Sequence, residues 1–209
     1  MTLIAALATG CTVEESSTSS AVDHGIGTQL DLADVARLGD AVHLISGSLL
    51  IENTDLTSLE ELNAVTSITT DLVISGNATL VELEGLRNVT DIGGSLLILM
   101  NPTLGQSPWT SQSQEPWGSL MIVSNDALTD LLGLDGLTGM KGNVEIVSND
   151  RLESLLGLHN LTEIGGGLFL VDNASLTDVD RLSSLSLNRG DTSKSVRTLL
   201  SIIWMDWST

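Results

Sequence analysis

The chain has 209 residues, with 27 acidic against 8 basic side chains and a formal charge of -19. Such a surface repels phosphate backbones and anionic lipid headgroups, which argues against nucleic-acid binding and against electrostatic docking on a membrane. Aromatic residues make up 2%, tyrosine is absent and Cys11 is the single cysteine, so an intrachain disulfide is excluded and any core must be filled with Leu, Ile and Val.

In chain order, residues 1–11 come first: an apolar run, MTLIAALATG, closing in small residues directly before Cys11. Leu7-Ala8-Thr9-Gly10-Cys11 resembles a bacterial lipobox. The resemblance implies cleavage before Cys11, a lipid on its sulfur, and a place in the cell envelope, either lipid-anchored or secreted. No Lys or Arg precedes the run, whereas a secretory signal starts with positive charge, which leaves either a truncated signal whose start lies upstream of Met1 or a chance match to the lipobox. The run is too short to cross a bilayer, which takes roughly 20 apolar residues, so any membrane attachment is expected only through that lipid. Residues 12–28 are rich in Ser and Thr and read as a flexible tether. Residues 29–46, with Leu32, Val35, Leu38, Val42 and Ile45, read as a partial repeat that caps the regular copies after it.

From Gly47 the text repeats. Copies begin at Gly47, Thr70, Gly94, Gly118, Gly142 and Gly166. Each places two aliphatics two residues apart, Leu49 and Ile51, Leu72 and Ile74, Leu96 and Ile98, Leu120 and Ile122, Val144 and Ile146, Leu168 and Leu170. An asparagine comes next, then leucines stepping by three, as in Leu152, Leu155, Leu158, Leu161, Ile164. The two-residue period puts the paired aliphatics on one face of a short strand. A step of three drifts around an α-helix of 3.6 residues per turn and suits corners and short extended segments. The chain over 47–187 is therefore expected to be all-β: a parallel β-solenoid of about six 24-residue coils, one strand per coil, with low helix content. A single coil has too small a core to fold alone, so stability belongs to the array and needs capped ends.

Two sets of residues are candidates for more than core packing. Asn53, Asn77, Asn101, Asn125, Asn149 and Asn173 form a column just past each strand. There a side-chain amide can satisfy backbone groups of its own and the neighbouring coil, which makes this column structural. The residues pointing away from the core form a second set: Leu50, Val73, Leu97, Leu99, Met121, Val123, Val147, Phe169 and Val171. An outward sheet face this apolar is a candidate partner surface, although aliphatic side chains also simply favour strands.

The repeat breaks twice. Residues 105–117, GQSPWTSQSQEPW, keep the repeat length but lose the leucines; they read either as a loop presenting Trp109 and Trp117 as binding aromatics or as decay through a change of reading frame. Residues 188–209 leave the motif altogether and form a divergent C-terminal tail, where Arg189-Gly190-Asp191 is a chance-level match to the integrin tripeptide.

The stretches GSLLIENTDLTSLEELNAVTSI, DLVISGNATLVELEGLRNVTDIGG and GLFLVDNASLTDV resemble the receptor L-domain, the leucine-rich β-solenoid of growth-factor receptor ectodomains that also occurs in fungal wall proteins and bacterial surface lipoproteins. The resemblance implies a noncatalytic recognition module whose partner is a protein or a glycan; the scaffold carries different ligands and does not name one. An architectural envelope spacer, or a truncated or frameshifted product, is the alternative. No catalytic, cofactor or metal motif is present. His24, His43 and His159 share no repeat position, and the acids Asp172, Asp178 and Asp180 fall at solvent-facing steps. The expectation is no enzyme and no cofactor.

Overall fold

The computed structural model describes residues 5–7, 12–15, 29–31, 42–105, 117–179, 182 and 185–187. From residue 42 onward the described residues form an all-β parallel solenoid of about five turns with almost no helix. Strands β1 (Ala5–Leu7), β2 (Thr12–Glu15), β3 (Gln29–Asp31) and β4 (Val42–Ser46) precede the regular coils. Each coil then gives a four-residue strand: β5 (Leu49–Glu52), β7 (Leu72–Ser75), β9 (Leu96–Leu99), β10 (Leu120–Val123), β12 (Val144–Val147) and β14 (Leu168–Val171). These pair in parallel and in register, Leu49 on Leu72, Leu72 on Leu96, Leu96 on Leu120, Leu120 on Val144 and Val144 on Leu168.

Beyond the one strand per coil expected, the returning side contributes two-residue strands: β6 (Ser67–Ile68), β8 (Asp91–Ile92), β11 (Gly139–Met140), β13 (Glu163–Ile164) and β15 (Ser186–Leu187). They form two narrower sheets, β2-β4-β6-β8 and β11-β13-β15. Trp117 bridges to Met140 between them, so the returning wall continues through the coil that lacks leucines.

The core lies on the axis of the stack. Strand residues alternate buried and half-buried, and the first of each pair faces the axis: Leu72, Ile74, Leu96, Val144 and Ile146 are all at 0% exposure. The leucines three apart face the same axis. Their spacing has a specific cause: two successive steps in the returning part of a coil are each closed by a backbone bond from residue i+3 to residue i. The Leu86 and Val89 N–H groups donate to the carbonyls of Leu83 and Leu86, both at 2.9 Å, and the pattern recurs at Leu131, Leu134 and Leu137 and at Leu155, Leu158 and Leu161. A chain of three-residue turns returns every third side chain to one side, which is how the periodicity arises without an α-helix. Among the described residues, Glu60–Leu62 and Glu84–Leu86 tighten into short 3-10 helices.

Layers stack closely enough that some positions have no room for a side chain. A Cβ on Gly157, whose φ is +111°, would fall onto the Leu131 carbonyl of the previous coil, and Gly133, one coil earlier, shares the conformation at φ +106°.

At the start of the stack, β1 runs antiparallel to β5 through Ala6 on Ile51, and β2 runs antiparallel to β4. The region read as signal and tether thus includes two strands that lie on the first coil. Cleavage before Cys11 would remove β1 and leave β5 as the edge.

Candidate functional site

Two polar ladders flank the main sheet and tie each coil to the next. The first is the asparagine column. The N–H and the side-chain amide of Asn77 both donate to Asn101 Oδ1 at 3.1 Å, and Asn101 repeats this onto Asn125. Asn125 does so onto Asn149 at 3.1 and 3.3 Å, and Asn149 onto Asn173 at 3.0 and 3.1 Å. Each amide also reaches back to a strand carbonyl of the preceding coil, as Asn101 Nδ2 does to Ile74 at 3.0 Å. Asn77, Asn101, Asn125 and Asn149 are at 0% exposure, which leaves no surface for a ligand.

Asn53 does not belong to this column. The first coil has 23 residues where the others have 24, since Leu49 pairs with Leu72 and Glu52 with Ser75. Asn53 therefore stands level with Gly76, at the left-handed corner (φ +52° and +68°), and is exposed. Thr54 takes the column position: it is 7% exposed, and its N–H and Oγ1 donate to Asn77 Oδ1 at 3.0 and 2.7 Å. The spacing of Asn53 to Asn77 matches the repeat, but the one-residue deficit falls later in the coil, just past Thr54, so that Thr54 and not Asn53 is the equivalent of Asn77.

The second ladder precedes the strands and was not legible as a column, because its residue type changes from coil to coil. The Ser95 N–H donates to Asp71 Oδ1 at 2.7 Å, Ser119 N–H to Ser95 Oγ at 3.0 Å, Asn143 N–H to Ser119 Oγ at 3.1 Å, and Gly167 N–H to Asn143 Oδ1 at 2.9 Å. Only the shared ability of Ser, Asp and Asn to accept could have revealed it. Its direction is opposite to the asparagine column: here the acceptor sits in the earlier coil, there in the later one.

Between the ladders lies the outer sheet face. The strand pairing brings Leu50, Val73, Leu97, Met121, Glu145 and Phe169 into one row and Glu52, Ser75, Leu99, Val123, Val147 and Val171 into the next. All are half-buried by their neighbours except Phe169 at 43% and Val171 at 42% exposure, at the last strand. From Leu97 onward Glu145 is the one acid in the two rows, and Asn143 Nδ2 donates to its Oε1 at 3.0 Å. The six strands span about 24 Å and four residues about 13 Å, so the face covers roughly 300 Å².

The remaining sequence candidates fall elsewhere. Trp117 is 1% exposed and packed in the core, so it is not a surface aromatic. Its side chain is part of the same core cluster as the leucines of the neighbouring coils. Trp109, Cys11, His24, Asp180 and Arg189-Gly190-Asp191 lie outside the described residues. Among those described, no group of three or more His, Cys, Asp or Glu is placed to hold a metal ion, and no helix is long and apolar enough to cross a membrane.

Comparison with protein-family models, with curated proteins and with solved structures finds no match.

Proposed function

We propose that this protein is a noncatalytic binding module whose solenoid presents its outer sheet face to a protein partner. The supporting observation is the double row Leu97, Leu99, Met121, Val123, Val147, Phe169 and Val171, in register and interrupted only by Glu145. The chemistry of that face decides the partner class. A glycan is held by aromatic stacking and by polar groups free to hydrogen-bond, and the face offers Phe169 alone as an aromatic and one carboxylate already engaged by Asn143. An apolar protein surface is the complementary match.

The size of the face sets the kind of contact. Roughly 300 Å² is at the lower end of patches that mark interaction sites on single chains, and well under the ≈ 800 Å² per partner of a standard stable interface. The contact is therefore transient, or it extends over the corners on either side of the sheet.

The double variant Leu97→Lys with Val123→Lys places two charges in the middle of the rows while leaving the buried face of each strand untouched. Its unfolding transition is expected to stay close to the parent's, and proteins recovered by the parent from envelope extract are expected to be missing from the variant. Recovery of the same proteins by both would reject the face as the binding surface and leave the architectural spacer as the better reading.

A further inference from the structure

The outer face is bordered differently on its two long sides. Where the strands enter, the border is the second polar ladder, which runs from Ser95 through Ser119 and Asn143 to Gly167 and bonds from coil to coil. None of these four residues carries a charge. Where the strands leave, the chain turns a corner, and over the last three coils that corner carries Asp126, Asp150 and Asp172. Asp172 follows Val171 directly, at the left-handed position with φ +52°, and Asp126 and Asp150 stand three residues past the outward Val123 and Val147. Asp126 and Asp150 hold the same place in successive coils, one strand spacing of about 4.8 Å apart. All three are exposed. Among the described residues the salt bridges are Arg87 with Glu84 and His159 with Asp135, so the described fold neutralises none of the three. Arg151, next to Asp150, is the one cation among the described residues of this corner.

We propose, resting on the reading of the outer face as a contact surface, that its occupant is a cationic amphipathic segment of another protein. Its apolar ridge lies along the rows from Leu97 to Val171, and a row of Lys or Arg on one side of that ridge lies over the acidic corner. Carboxylates one strand spacing apart repel each other, and a basic row relieves that repulsion. Lysine and arginine also lay aliphatic stems on apolar surface while their charged heads stay in water, so the same side chains that meet the aspartates can cover the valines beside them. The corner adds area where the face is short of it, since the sheet alone offers roughly 300 Å². A second copy of the chain is a poor match, because it brings the same acidic corner and a formal charge of -19 against -19.

The probes are two synthetic amphipathic peptides of equal length and pattern, one of leucine with lysine and one of leucine with glutamate, titrated onto the full chain at low and high salt. The parent is expected to bind the lysine peptide at least about tenfold more tightly than the glutamate peptide. Asp126→Asn with Asp150→Asn and Asp172→Asn keeps the shape of each side chain, and asparagine tolerates the left-handed position of Asp172. This variant is expected to lose about fivefold or more in affinity for the lysine peptide at low salt, and little at high salt. A control, Glu60→Gln with Glu61→Gln and Asp91→Asn, removes the same charge from exposed positions on the returning side and is expected to bind as the parent does. Equal losses in both triple variants mean that the peptide responds to net charge alone and overturn the proposal, as does a parent with no preference for the lysine peptide. Leu97→Thr with Val123→Thr, neutral and suited to strands, tests the face by itself. If it loses the peptide while the aspartate variant keeps it, the face remains a contact surface and the basic partner is wrong. If it keeps the peptide while the aspartate variant loses it, the face fails as a contact surface and the proposal fails with it. Sedimentation of the parent as a dimer that the threonine variant abolishes gives the face to a second copy and overturns the proposal.

Discussion

At the scale of the residue, the asparagine column turns a polar side chain into a core component. Asn101 makes three donor contacts through Nδ2, to Asn125, Ile74 and Leu99, and its Oδ1 accepts two from Asn77. Removing that amide strands several of these partners in a dry interior, and one unsatisfied buried group alone costs about 1–3 kcal/mol. Asn101→Ala is therefore expected to lower stability by at least about 2 kcal/mol in denaturant unfolding. Asn53→Gly, at an exposed left-handed corner where glycine is at ease, is expected to stay within about 0.5 kcal/mol of the parent. Equal losses at the two positions would mean that the first coil is not offset as described. The residue type and the spacing were readable for the column from Asn77 onward. The offset at Asn53 was not, because a single missing residue can be placed just before or just after the column position until the bonds of Thr54 to Asn77 fix it.

At the scale of the element, the turn is the unit. The three-residue steps were legible as an inward stripe, since Leu152 through Ile164 announce it, but the means of making it were not. Extended corners and successive i+3 to i turns give the same side-chain period, and only the backbone bonds at Leu83, Leu86 and Val89 and their equivalents distinguish them. Close stacking of these turns explains Gly157, whose missing side chain leaves room for the Leu131 carbonyl and whose φ of +111° disfavours any other residue. Gly157→Ala is expected to destabilise by more than about 2 kcal/mol, through strain and steric overlap together. An alanine variant with the parent's melting temperature would show that adjacent turns are further apart than this. The serine, aspartate and asparagine ladder before the strands was illegible for a different reason: it depends on a shared acceptor oxygen and not on any one residue type.

At the scale of the whole molecule, coils interact only with their neighbours, so stability is nearly additive along the stack. Excising residues 118–141, one whole coil, is expected to leave a chain that folds cooperatively at reduced stability, because Gly94 and Gly142 then meet in the same register. Excising residues 118–129 cuts half a coil and is expected to abolish cooperative unfolding. Circular dichroism through a denaturant series separates the two, and similar behaviour of both chains would contradict a stack built on 24-residue layers. The solenoid was legible in the sequence because the repeat is its own evidence. The binding face was legible only as a row of outward aliphatics, since the same residues serve strand formation and contact alike. Burial adds one distinction, that Phe169 and Val171 stand clear of their neighbours while the rest are shielded.

The in-register pairing of β10 with β12 joins two coils whose text is almost the same, Ile122 to Thr138 and Ile146 to Thr162. Contacts between such layers carry no address: Leu120 would pack against Leu96, Val144 or Leu168 equally well, whichever coil supplied the neighbour. Ordinal position along the stack is thus recorded by the covalent chain and by its irregular layers, the short first coil with Thr54 and the coil that carries Trp117. Those two departures from the repeat are the layers that a neighbouring coil can distinguish from the rest.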